Sequence, residues 1–254
     1  MSARSRAWLA AAMLCLLAAA AIAVTVPATV HSWREHHRGP DPLAPGLAAL
    51  SDDELAALLP GAEDLPPDWV LTGSGRDVPA YASDDPPFFG YSRRGSSPGP
   101  GSIGGFTPPG CDRIITMVHT GGSRVAKSTA RDLTDPAKTH DGSDIRFFLE
   151  REYRPAGFED MVALVTRCRH TEWATARFDW RYTVEILEDS DPADGPRRFR
   201  YAVTTDTGED PPTTEYYSYA RAANLILAGS GSAGHQQTFD ALFDQTLDRI
   251  QARR

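Results

Sequence analysis

Two hydrophobic periods organise the chain from residue 51 onward. Apolar residues recurring three and four positions apart mark one face of a helix, and strict alternation marks a half-buried strand. Phe158, Met161, Val162 and Val165 follow the first pattern and predict a helix over 157–167. Phe239, Leu242, Phe243, Thr246, Leu247 and Ile250 predict a longer one over 236–251. A short helix opens at Ser51, an N-cap residue with Glu54 three positions on, the spacing of a capping box. Asp52 and Asp53 suit the positive end of its dipole. Leu55, Leu58 and Leu59 give it an apolar side, and Pro60-Gly61 stops it.

Alternation is clearest at Phe178, Trp180, Tyr182, Val184 and Ile186, which predicts a strand over 174–188. An acidic turn at 189–195 and the returning Phe199, Tyr201 and Val203 make this a hairpin. Further strands are predicted over 69–72, 145–153, 216–228 and 123–133, the last from the alternation of Val125, Lys127, Thr129 and Arg131. Residues 113–119 suit a short helix or strand. Two segments carry neither period. Residues 73–109 are rich in Gly, Pro and Ser and read as a long flexible loop, an uncommon length inside a compact domain. Residues 229–234, Gly-Ser-Gly-Ser-Ala-Gly, read as a flexible break. Phe88, Phe89, Tyr91 and Phe106 are the candidate binding residues of the long loop; the plainer alternative is that they pack back on the body. The fold class is α+β, an antiparallel sheet covered by helices.

The N-terminal region differs. Residues 8–30 contain no charged side chain and follow Arg4 and Arg6. At about 1.5 Å per residue a helix of this length reaches roughly 35 Å, enough to cross a bilayer core. The preceding arginines hold the N-terminus on the cytoplasmic side, so the remainder is exported. The run is long for a signal-peptide core, and Val26-Pro27-Ala28 is a poor cleavage site. The expected organisation is a signal anchor at 1–30, a juxtamembrane linker at 31–50 and an extracytoplasmic α+β domain at 51–254. The expected location is the cell membrane, single-pass; secretion after cleavage is the alternative. Lipidation at Cys15 is disfavoured, because Leu14 before it is not small.

Composition sharpens this. The 254 residues are 41% hydrophobic and 24% charged, which is globular. The net charge is −8; without the first thirty residues the basic count falls from 26 to 24 against 34 acidic residues, giving −10. That balance excludes nucleic acid as a partner, since phosphate binding needs a basic surface. Only Lys127 and Lys138 are lysines, an arginine bias typical of a GC-rich genome. Outside the apolar run the cysteines are Cys111 and Cys168. An exported chain with two cysteines most often pairs them, and closing such a loop stabilises a fold by roughly 4 kcal/mol. The alternative, a metal or redox pair helped by His170, lacks a second ligand pair.

Other chemistry is faint. Residues 99–104 spell GxGxxG, but no strand precedes and no helix follows. Asp189, Asp191 and Asp194 lack the remaining ligands of a calcium loop and read as a hairpin tip. Ser232 lacks the first glycine of a nucleophile elbow. His119, His140, His170 and His235 show no spacing that selects a base. His31, His36 and His37 read as solvated residues flanking the membrane, with a pH sensor or metal site as the other possibility. No catalytic residue, metal or cofactor is expected.

Several short motifs carry a resemblance: Leu65-Pro66-Pro67-Asp68-Trp69-Val70, then Pro108-Pro109-Gly110-Cys111, the helix of Phe158–Val165 ending at Cys168, the run from Ala220 to Leu227, and the closing amphipathic helix. Over roughly 190 residues this order resembles the PknH-like extracellular sensor domain family of mycobacterial and other actinobacterial exported proteins and lipoproteins. The resemblance implies an exported, anchored α+β domain with a disulfide-stabilised sheet, a cleft for a ligand and no catalytic constellation. The sequence departs from the kinase in its single pair of ectodomain cysteines, its long Gly/Pro segment and the lack of a kinase domain. The expected function is a non-enzymatic, extracytoplasmic, sensor-like module binding an envelope lipid, glycan or protein. An accessory structural subunit of an envelope complex, or a hydrolase using Ser232 with His170 or His235, are the alternatives.

Overall fold

Ser51 caps the helix that it predicts: its hydroxyl accepts from the Glu54 amide, while Glu54 accepts from the Ser51 amide at 2.8 Å. The computed structural model describes residues 43–76, 104–115, 120, 123–134, 144–152, 157–175, 179–193 and 195–253. All lie within one compact unit, Pro40–Arg254. Residues 8–30 with Cys15, the three juxtamembrane histidines, His119, His140, Phe88, Phe89 and Tyr91 fall outside the described residues. No described helix is long and apolar enough to cross a membrane.

In chain order the elements are α1 (Pro45–Ala48), α2 (Asp52–Ala56), β1 (Trp69–Arg76), β2 (Gly104–Thr107), β3 (Ser123–Asp132) and β4 (Asp144–Arg151). Then come α3 (Gly157–Arg167), β5 (His170–Thr175), β6 (Asp179–Ser190), β7 (Arg197–Asp206), β8 (Thr213–Ala222), β9 (Leu225–Ser232) and α4 (Gln236–Gln251). The strands form one nine-stranded sheet, ordered β1-β3-β4-β9-β8-β7-β6-β5-β2. Every pairing is antiparallel. The fold is the expected α+β layout.

Successive strand side chains point to opposite faces, and here both faces are packed. On β4, Phe147 and Leu149 face α4 and α2 while Phe148 faces the other way; on β9, Leu225 and Leu227 go one way and Ile226 and Ala228 the other. This explains why β4 and β9 are nearly continuous apolar runs rather than clean alternations. One face is covered by Leu55, Phe239, Leu242, Phe243, Leu247 and Ile250. The opposite face is covered by Phe158, Met161, Leu164 and Val165 of α3, with Ile114 and the Cys111–Cys168 pair. Each such fully buried side chain contributes about 1.5–3 kcal/mol of hydrophobic stabilisation. Ion pairs hold α4 to the sheet and the N-terminal turns: Arg198 and Arg200 of β7 pair with Asp244 and Asp240, and Arg249 with Asp64.

Four expectations need correction. Two parts of the segment expected as a long loop over 73–109 are strands: Gly73–Arg76 extends β1, and Gly104–Thr107 forms edge strand β2, while 77–103 lie outside the described residues. Pairing with β3 and β5 supplies hydrogen bonds that local Gly-rich sequence does not announce. The strand expected over 174–188 is β6, which starts only at Asp179; residues 174–175 end a separate strand, β5. The one expected over 216–228 is two strands, β8 and β9, turning at Ala223-Asn224. Residues 229–232 are no break; they are the buried end of β9, with Gly229 and Gly231 lying under Phe239. On β3 a bulge between Arg124 and Ala126 shifts the parity, so Ala126, Ser128 and Ala130 are the buried positions further along the strand.

Candidate functional site

The face that carries α3 is apolar on one side and polar on the other, and register builds both parts. Arg146 of β4 lies across from Ser230 of β9, Ser230 across from Tyr217 of β8, and Tyr217 across from Tyr201 of β7. This makes one row over four strands. Beside it, Arg131 of β3 lies across from Asp144 of β4, and Ser232 of β9 across from Glu215 of β8.

The tyrosines form the inner, apolar boundary. Tyr201 stacks on Tyr217 with centroids 4.9 Å apart and on Tyr219 at 6.1 Å. All three are buried. Burial first, then the neighbouring Glu215 charge, hold the Tyr217 phenol far above its ordinary value. It therefore stays protonated and donates to Glu215 Oε2 at 2.7 Å.

The polar boundary is a chain of alternating charge. The Arg131 guanidinium donates to both oxygens of Asp144, at 2.6 and 3.0 Å, a bidentate pairing. Arg146 comes within 3.8 Å of the same carboxylate and also acts on Glu215. Glu215 keeps part of its surface exposed, yet burial of its carboxyl raises its pKa; hydrogen bonds from Tyr217 and Ser230 and the Arg146 charge oppose that rise. Further along the same face, buried Glu150 accepts from Thr120 at 2.9 Å and meets Arg124 at 3.5 Å, while Arg124 lies 4.5 Å over the Phe148 ring. Glu152 accepts from the Phe158 amide at 3.0 Å and so caps the start of α3.

The arrangement offers fixed donors and acceptors on rigid strands. Among the described residues no group of three or more His, Cys, Asp or Glu could hold a metal ion. Cys111, in a single turn at Cys111–Ile115, and Cys168, just past α3, form a fully buried disulfide with Cα atoms 5.6 Å apart. It ties α3 to the turn, as the sequence suggests. Phe106 stacks on Trp173 at 5.9 Å, at the β2 edge of the sheet. Asp189 pairs with Arg197, and Asp191 is exposed. Ser232 neighbours Glu215, whereas His235 sits edge-on to Trp69 and 3.8 Å from Asp132; His170 is exposed on β5.

Sequence reasoning missed Arg131, Asp144, Arg146, Glu215, Tyr217 and Ser230 as a group. A usable signal was present in β8, where Glu215, Tyr217, Tyr219 and Arg221 share one parity: charged at both ends, aromatic between.

No family model matches the chain, and no curated protein matches it. Among solved structures, the chain is similar to the extracellular domain of PknH from Mycobacterium tuberculosis. The identity is 11%, with 84% of this chain and 100% of that chain covered, and the TM-score is 0.47. It is also similar to an uncharacterized protein of Mycobacterium smegmatis, the Rv0999 ortholog, at 12% identity, with 80% and 97% covered and a TM-score of 0.39.

Proposed function

We propose that the chain is a non-enzymatic, extracytoplasmic binding module of sensor type, tethered by its N-terminal apolar segment. The observation that carries the reading is the row of paired charges on a rigid sheet, running from Arg131 to Glu215 and bounded by stacked tyrosines. Strand-borne side chains locked by mutual hydrogen bonds give specificity in binding, because they lose little freedom when a ligand arrives. The same locking argues against catalysis. Asp144 is held by two guanidiniums, a poor setting for a base, and Tyr217 spends its proton on Glu215. Support for the compartment comes from the buried disulfide, since such bonds persist in oxidising surroundings.

The test uses full-length protein in a non-glycosidic detergent, with lipid, glycan and protein fractions of a bacterial envelope. One fraction should raise the melting temperature saturably and be recovered chemically unchanged. Absence of any shift, or recovery of an altered compound, would contradict the proposal.

A further inference from the structure

We infer that the end of the domain around the Cys111–Cys168 disulfide is a docking face for an anionic phospholipid bilayer, held there by Arg167 and Arg169. The inference rests on the tether in the reading above and adds a second contact with the same membrane. In an acidic chain, arginines find carboxylates easily. From Arg124 to Arg249 every other described arginine lies within 3.8 Å of a carboxylate oxygen. Arg167 and Arg169 are exposed and have no ion pair among the described residues. The negative end of the α3 dipole accounts for Arg167, its last residue, but Arg169 lies beyond the helix. The disulfide brings a third guanidinium near them. The Cα atoms of Cys111 and Cys168 are 5.6 Å apart, and Arg113, exposed and with a partner of its own, is two residues from Cys111. The carboxylate in these turns is Asp112. Glu172 has the opposite parity to Trp173 on β5 and so faces the other side of the sheet. Glu159 and Asp160 open α3, about 10 Å from Arg167 along the helix. That exceeds the screening length of about 8 Å at physiological ionic strength, so a bilayer meets the local surplus of positive charge rather than the net charge of the chain.

Shape and the aromatic residues beside the arginines select the partner. Guanidiniums standing out in solvent suit a broad anionic surface, whereas a small ligand is held in a concave site. Phe106 lies across from Trp173 on β2 and β5, and Trp173 across from Trp180 on β5 and β6. All three are half-buried and pack on the same core cluster as Cys111 and Cys168, so they rim the same face. Half-exposed Trp rings beside arginines are side chains that settle at headgroup level, with the apolar body in and the polar tip in water. The tether permits this orientation. Leu43 is buried on the opposite face, in the cluster that holds α4. Between it and the apolar run lie residues 31–42, which reach about 40 Å when extended. That exceeds the roughly 20 Å from one helical layer through the sheet to the other. Near an anionic surface each guanidinium strengthens association about fivefold, so Arg167 and Arg169 together supply about 25-fold.

The experiment places the full-length chain in phosphatidylcholine vesicles, with and without phosphatidylglycerol, and reads side-chain oxidation by brief pulses of hydroxyl radicals. Phosphatidylglycerol should slow oxidation of Trp173 and Phe106 several-fold and leave Leu187 unchanged. Leu187 is exposed and lies seven residues along β6 from Trp180, about 23 Å away. High salt should abolish the difference. Arg167→Gln with Arg169→Gln should remove the protection. Arg167→Lys with Arg169→Lys keeps the charge and should retain it, which guards against loss by misfolding. Equal oxidation in the two kinds of vesicle, or protection that survives in the glutamine variant, would overturn the inference. Equal protection by soluble polyphosphate on phosphatidylcholine vesicles would overturn the lipid assignment. Release of the native chain from phosphatidylcholine vesicles by alkaline carbonate would instead remove the tether, and the slowed oxidation of Trp173 and Phe106 by phosphatidylglycerol would then still support the docking face.

Discussion

Phe239 lies against the backbone of Gly229: a Cβ on that glycine would come within 2.8 Å of Phe239 Cε2 and 3.1 Å of Phe147 Cδ1. The contact seats α4 on the centre of the sheet. Gly229→Ala should therefore destabilise by about 1–3 kcal/mol through overpacking, although alanine suits a strand better than glycine does. Gly234→Ala, where nothing lies within 4 Å, is the control and should change little. Urea unfolding of both variants measures this; equal stabilities would contradict the packing account.

Ala223 turns β8 into β9 with a φ of 54°, a left-handed conformation that costs an L-residue about 1–2 kcal/mol. Ala223→Gly should relieve part of that cost. Since about 1 kcal/mol moves the melting temperature by roughly 2–4 °C in a domain of this size, the gain is visible in a thermal scan. A lower melting temperature would show that the turn is unstrained.

Cys111 and Cys168 clamp α3 to the turn before β3. Replacing both by serine should cost about 2–5 kcal/mol, with the loss read from chemical denaturation. Because both cysteines are fully buried, the loss includes placing hydroxyls in an apolar core. Alanine replacements separate the two effects and should cost less than serine.

Two carboxyls shift in opposite directions, so their variants should change the pH dependence of stability oppositely. The hydrogen bond from Arg249 holds Asp64 below its ordinary value, against an opposing effect of burial. Its folded pKa is depressed, so its contribution is present above the unfolded pKa and is lost as pH falls through the folded one. Asp64→Asn should flatten that acid limb. Glu215 is raised, mainly by burial. Its contribution is present below the unfolded pKa and is lost as pH rises through the folded one. Glu215→Gln should therefore gain stability relative to the native chain over that rise. Unfolding curves from acid to neutral pH measure both; parallel profiles for native and variants would contradict the assignments.

Legibility in the sequence followed locality. The capping box at Ser51 and Glu54, the full length of α3, and all six buried positions of α4 follow from spacing within one element. The β6–β7 hairpin follows too, because its turn contains Pro and Gly. The β8–β9 hairpin does not: its turn residues are Ala223 and Asn224, and Ala gives no signal for a positive φ. Gly229 to Ser232 misled for a related reason. Gly229 and Gly231 admit Phe239 on one face of the strand, a contact that only packing reveals. The polar row was hidden by distance, since Arg131 and Glu215 come together only through the order β3-β4-β9-β8.

The claim that this module works outside the cytoplasm is tested most directly by trapping thiols in growing cells that express the full-length chain. Cells are quenched in acid, free thiols are blocked, and the protein is then reduced and labelled with a second alkylating reagent of different mass. The account predicts that Cys111 and Cys168 carry only the second label. Finding both with the first label would place them reduced in the cell and contradict an exported, disulfide-clamped binding domain.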